Sequence, residues 1–145
     1  DLAGPGVTLA DAFAAVECVF PAIEVGASHS KTRPSHQGPI IFSKFTAGIV
    51  LGRPMSLNGL DLRLEGVVAT HNNVVKGSAT GVEVLGHPMN AVVLVANTMA
   101  QYEEPLRAGM VLMTGSFLAN IALAPGDRVL MEFTRLGTVS AFFEA

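Results

Sequence analysis

The chain has 145 residues, half of them apolar and 14% charged, with a formal net charge of −3. That length fits one domain with a core needing no disulfide staples, and nine scattered Lys and Arg residues lack the clustered basic footprint of a nucleic-acid binder. Cys18, the one cysteine, excludes an internal disulfide framework and a thiolate metal cluster, and points to a cytoplasmic location. No apolar run reaches the roughly 18–20 residues of a membrane span, and the opening Asp1–Gly6 has neither the basic nor the apolar region of a signal peptide. The excess of apolar over charged residues predicts an interface, in a homo-oligomer or with a partner chain.

Thr8 followed by Asp11 reads as a helix N-cap with a carboxylate in the first turn. Leu9, Phe13, Val16 and Phe20 recur at helical spacing, predicting a helix from Leu9 to about Val19 stopped by Pro21. Ala22–Ala27 reads as a short strand carrying Glu24, and the polar stretch Ser28–Gly38 as an exposed or ligand-covering loop with two histidines and two cations. Phe45–Leu51 and Leu60–Thr70 are the next strands. His71-Asn72-Asn73 suits a tight turn, since Asn tolerates positive φ, and Val74–Ser78 returns antiparallel. Pro88 suits the first turn of an apolar helix to about Tyr102. Met110–Met113, Phe117–Leu123, Arg128–Phe133 and Thr138–Phe143 complete about eight strands with two flanking helices. The expected class is α+β, a mixed, mostly antiparallel β-roll or sandwich.

The sequence has no phosphate-binding loop, HExxH, CxxC pair or GxSxG elbow. The stretches DLAGPGVTLADAF, PAIEV, NNVVKGSATGVEVLGHPMNAVVLVANTMA, LRAGMVLMTGS, PGDRV and LGTVSAFF resemble, in order, successive segments of the 2-oxopent-4-enoate hydratase and 4-oxalocrotonate decarboxylase family, within the fumarylacetoacetate hydrolase superfamily. The resemblance covers that family's C-terminal part. It implies a single fumarylacetoacetate hydrolase-like domain over residues 1–145, N-terminally truncated relative to the family. It also implies a lyase, a hydratase or decarboxylase of 2-hydroxydienoates or 2-oxo acids from aromatic-compound meta-cleavage, working through an enolate.

The resemblance further implies Mg²⁺ or Mn²⁺ held by three carboxylates, hard-cation chemistry that draws electrons from an enolate. Glu24 matches one of the three; the other two belong to a Glu-x-Glu pair ahead of DLAGPG, which this sequence does not contain. Where the family continues with Val-Asp-Ser-Arg, this chain has Gly26-Ala27-Ser28-His29, and the family's later Asp-Asn segment corresponds to Ile41–Lys44. Glu24 and Lys44 are therefore the candidate catalytic residues, Glu24 a weak metal ligand, and Thr114, Gly115, Ser116 and Arg33 candidate binders of the substrate.

Each has a plainer reading. Glu24 also suits a salt bridge or an exposed edge, Thr114-Gly115-Ser116 a turn, and His29, Lys31, Arg33 and His36 a solvated loop. His87, before Pro88, reads as structural at the start of the helix. Beside the metal-dependent lyase stand two alternatives: a shortened, metal-independent relative acting on a related oxoacid or polyketide-like substrate, and a non-catalytic binding or interaction protein with the same fold.

Overall fold

A computed structural model describes residues 1–27, 45–116 and 118–144. The expected loop 28–38, with His29, Lys31, Arg33 and His36, and the candidate Lys44 lie outside the described residues.

Helix α1 spans Leu9–Ala15. Thr8 caps it, accepting the Asp11 N–H while the Asp11 carboxylate accepts the Thr8 N–H, so two orphan donors of the first turn are satisfied reciprocally. The helix ends four residues before the expected Val19. Val16 is already extended, and Val19 exchanges backbone hydrogen bonds with Met55 at 2.9 and 2.8 Å. The chain is thus straightened by a tertiary pairing before Pro21 requires it.

Strands β1 (Ala22–Ala27) and β2 (Phe45–Leu51) form an antiparallel pair. A four-stranded antiparallel sheet has the order β4-β3-β5-β6, built from β3 (Gly66–His71), β4 (Val74–Thr80), β5 (Arg128–Phe133) and β6 (Thr138–Phe142). The β3–β4 hairpin turns at Asn72 and Asn73, with φ of 49° and 64°, the two positive values that a tight two-residue hairpin turn requires. Asn72 also ties this turn to β5: its side chain donates to Asp127 at 2.7 Å and accepts the Arg128 N–H at 2.9 Å.

Residues 62–64, expected within a strand, form a 3₁₀ turn instead, because the Asp61 carboxylate accepts the Arg63 N–H and starts the turn. Glycine at 81 lets the chain pass that turn closely, since a Cβ there would lie 1.8 Å from the Leu62 carbonyl oxygen.

Helix α2 spans Met89–Met99 and continues into a 3₁₀ turn at Ala100–Tyr102. It packs with α1 and the 62–64 turn around Ala12, Leu62, Met89 and Val92, while Ile23, Val129 and Val139 join the two sheets in a second core. The Asn97 side chain on α2 accepts the Gly6 and Val7 N–H groups and donates to the Val7 carbonyl, pinning the opening segment to the helix.

Among the described residues, six strands and two helices confirm the α+β class. The expected strands at 110–113 and 117–123 are a correction: their described residues enter no ladder. Their apolar sequence reflects the wall of a cavity, which residues 110–116 and 118–123 line. An apolar run reads the same whether it pairs in a sheet or lines an open cavity, and the described residues of these two are half-buried or exposed.

Candidate functional site

Glu24 sits in the middle of β1, flanked by Ile23 and Val25. Period-two geometry sends Ile23 into the inter-sheet core, where it is 6% exposed, and turns Glu24 to the opposite, open face. The Thr46 hydroxyl on β2 donates to Glu24 Oε1 at 2.6 Å, a short hydrogen bond of the charge-assisted kind.

Glu24 and Thr46 line a cavity of about 1570 Å³, and Thr114, Gly115 and Ser116 line it as well. Three elements distant in sequence, β1, β2 and the 114–116 turn, therefore contribute polar groups to one space. Gly115 has φ of +99°, a conformation that favours glycine. The Ser116 hydroxyl is engaged locally, donating to the Leu118 carbonyl at 2.8 Å. This local bond fits the turn reading of 114–116 as well as a binding one. Of the remaining candidates, Arg33 and Lys44 are outside the described residues.

The cavity is larger than the roughly 300–1,000 Å³ usual for a small-molecule site, and its 110–123 wall leaves Met110 and Val111 58% and 50% exposed. Cys18, a free thiol, also lines it. Among the described residues no three His, Cys, Asp or Glu side chains are grouped to hold a metal ion. Glu24 provides one carboxylate, fewer ligands than a six-coordinate Mg²⁺ site normally draws from protein and substrate together.

Two groups escaped the sequence reading. Thr46 is the one polar side chain in β2, FTAGIVL, a signal that gains meaning only once β2 is paired with β1. Glu65, 4% exposed, also lines the cavity, but its carboxylate accepts the backbone N–H groups of Arg135 and Leu136 at 2.6 and 2.9 Å and meets the Arg135 guanidinium at 3.3 Å. Its valences serve the fold.

His87 has the structural role its position suggested. Its Nδ1 accepts the Met89 N–H at 3.0 Å at the start of α2, its ring meets Phe13 edge-on at 5.2 Å, and burial pushes its pKa below the usual 6.5.

No family model matches the sequence. The chain is 38% identical over 144 residues to a 4-oxalocrotonate decarboxylase of Pseudomonas putida, covering 98% of this chain and 54% of that protein. It is 33% identical to a 2-oxo-hept-4-ene-1,7-dioate hydratase of Escherichia coli, covering 98% and 56%. The solved structure of 4-oxalocrotonate decarboxylase from Pseudomonas putida G7, complexed with magnesium and adipate, superposes with a TM-score of 0.87 at 37% identity, covering 98% of this chain and 55% of that one. The same enzyme complexed with calcium and acetate gives 0.86.

The paired antiparallel sheets and two helices thus form the α+β architecture of a fumarylacetoacetate hydrolase-like protein. Sequence and fold together match this chain to one half of the proteins of the 2-oxopent-4-enoate hydratase and 4-oxalocrotonate decarboxylase family. It spans about half the length of the curated relatives it matches.

Proposed function

We propose that this chain carries part of the active site of a lyase that hydrates 2-hydroxydienoates or decarboxylates 2-oxo acids of the oxalocrotonate type. The observation that carries the reading is the Glu24 carboxylate, held by Thr46 on the wall of a cavity that the 114–116 turn also lines, on a fold shared with a decarboxylase. Relatives named as a 2-hydroxyhexa-2,4-dienoate hydratase and a 2-keto-4-pentenoate hydratase support the substrate class. In this reading the Thr114 hydroxyl and the backbone N–H groups of Gly115 and Ser116 donate hydrogen bonds to the substrate carboxylate. For the hydration, Glu24 accepts the 2-hydroxyl proton as the 2-oxo group forms, and the displaced π electrons take up a proton from solvent at the far end of the diene. Arg33 and Lys44 are assigned the binding of the anion and proton transfer on the strength of the family resemblance alone.

The described residues do not by themselves make a site for the divalent ions named with the neighbouring structures. A second reading, a metal-independent relative acting on a similar oxoacid, rests on Ala27, His29 and Lys44, which differ from the pattern the resemblance implies. The 1570 Å³ cavity and the exposed Leu94, Met110 and Val111 suit a surface covered by more protein, in a homo-oligomer or against a partner chain or a further segment. We assign residues 1–145 to one domain of such an assembly, working in the cytoplasm, where a lone thiol stays reduced.

The test is turnover by the intact protein of 2-hydroxypenta-2,4-dienoate and of 4-oxalocrotonate. Glu24→Gln should lower kcat by roughly a hundredfold, the scale of a lost acid–base group. Unchanged turnover in that variant would overturn the assignment. Activity that persists after exhaustive chelation would select the metal-independent reading.

A further inference from the structure

We propose that Thr46 is a positioning residue for Glu24, brought to its face of the sheet by a β-bulge. The inference rests on the reading of Glu24 as the site carboxylate. Along β1 and β2, Glu24 pairs with Ile49 and Val25 with Gly48, but Gly26 pairs with Thr46, so Ala47 is an extra residue in β2. In an uninterrupted ladder Gly26 would face Ala47 and Thr46 would face Ala27. Because successive residues of a strand point to opposite faces, Thr46 would then lie on the other side of the sheet from Glu24. The one-residue bulge reverses this: Thr46 sits opposite Gly26, two positions along from Glu24 and on the same face. Re-aiming a side chain is what a bulge beside a functional site does.

Local composition keeps the diagonal open. Gly26, directly opposite Thr46, places no side chain between the two. The Thr46 hydroxyl therefore reaches Glu24 Oε1 at 2.6 Å. That bond engages Oε1, leaves Oε2 without a hydrogen-bond partner among the described residues, and restricts the carboxylate rotamer, which a long side chain on an open sheet face does not hold by itself. A hydroxyl is suited to this task because it donates without bringing a competing charge.

The experiment compares Thr46→Val, Thr46→Ser, Glu24→Gln and the Thr46→Val/Glu24→Gln pair in the intact protein. It uses turnover of 2-hydroxypenta-2,4-dienoate and 4-oxalocrotonate, together with crystal structures of the wild type and Thr46→Val. Thr46→Val should lower kcat about tenfold with KM within about twofold, Thr46→Ser should restore it, and Thr46→Val should add nothing in the Glu24→Gln background. The Glu24 side chain should occupy one rotamer in the wild type and several in Thr46→Val. Unchanged kcat in Thr46→Val while Glu24→Gln is inactive would overturn the role of Thr46 alone. A full Thr46→Val loss repeated in the Glu24→Gln background would do the same. Undiminished turnover in Glu24→Gln, or none by the wild type on either acid, would overturn the site reading and this proposal with it.

Discussion

The Glu65 carboxylate accepts the backbone N–H of Arg135 at 2.6 Å, tying the start of β3 to the β5–β6 turn across 70 residues of sequence. A second backbone bond, from Leu136 at 2.9 Å, comes to the same oxygen, and the guanidinium of Arg135 meets the other. The residue is 4% exposed, so its charge is stabilised by these donors and not by water.

Glu65→Ala leaves two backbone donors without their acceptor and should cost roughly 2–4 kcal/mol. Arg135→Ala should cost less, because its side chain is 43% exposed and water replaces part of what it loses. Urea unfolding of both variants checks the order. Equal losses would mean that the ion pair, and not the backbone bonds, dominates.

Asp127 sets an acid limit on stability. The Asn72 amide, then the Ala124 N–H and His71, lower its pKa from 3.8 to about 2. The folded state thus binds this proton less tightly than the unfolded chain. The contribution is whole above about pH 4 and is lost as pH falls from there toward 2. Asp61, held at about 2 chiefly by its Arg63 hydrogen bond, acts in the same window. Asp127→Asn should therefore flatten the stability profile between pH 4 and 2 without removing its slope altogether. Thermal melts across that range supply the measurement, and a profile as steep as the wild type's would refute the assignment.

The isolated 145-residue chain should bind Mg²⁺ no more tightly than about millimolar, since one carboxylate and waters make a poor site. Isothermal calorimetry gives the answer directly. Micromolar binding that disappears in Glu24→Ala would instead show that other groups complete the site.

Sedimentation of the same chain at micromolar concentration should show self-association, driven by the exposed apolar wall at 110–123 and by the outer face of α2, where Leu94 is 56% exposed. A stable monomer would contradict the assignment of that wall to an interface.

Local patterns were readable wherever neighbouring residues decide the outcome. Thr8 with Asp11 specified a cap, paired asparagines specified a hairpin turn, and Pro88 before an apolar run specified α2, because each depends on atoms a few residues apart. The ordered motifs from DLAGPG to LGTVSAFF likewise carried the family resemblance. What the sequence could not determine is what each apolar segment packs against. The 110–113 and 117–123 stretches have the composition of strands, yet their described residues line a cavity, half-buried or exposed, because composition does not tell a ladder partner from an apolar wall. Glu65 and Glu24 are each one acidic residue in an apolar context. Only the tertiary structure directed the first to backbone donors 70 residues away and the second to the open face. The partnership of Glu24 with Thr46 depends on one extra residue, Ala47, and a strand's register is fixed by its pairing and not by its own sequence.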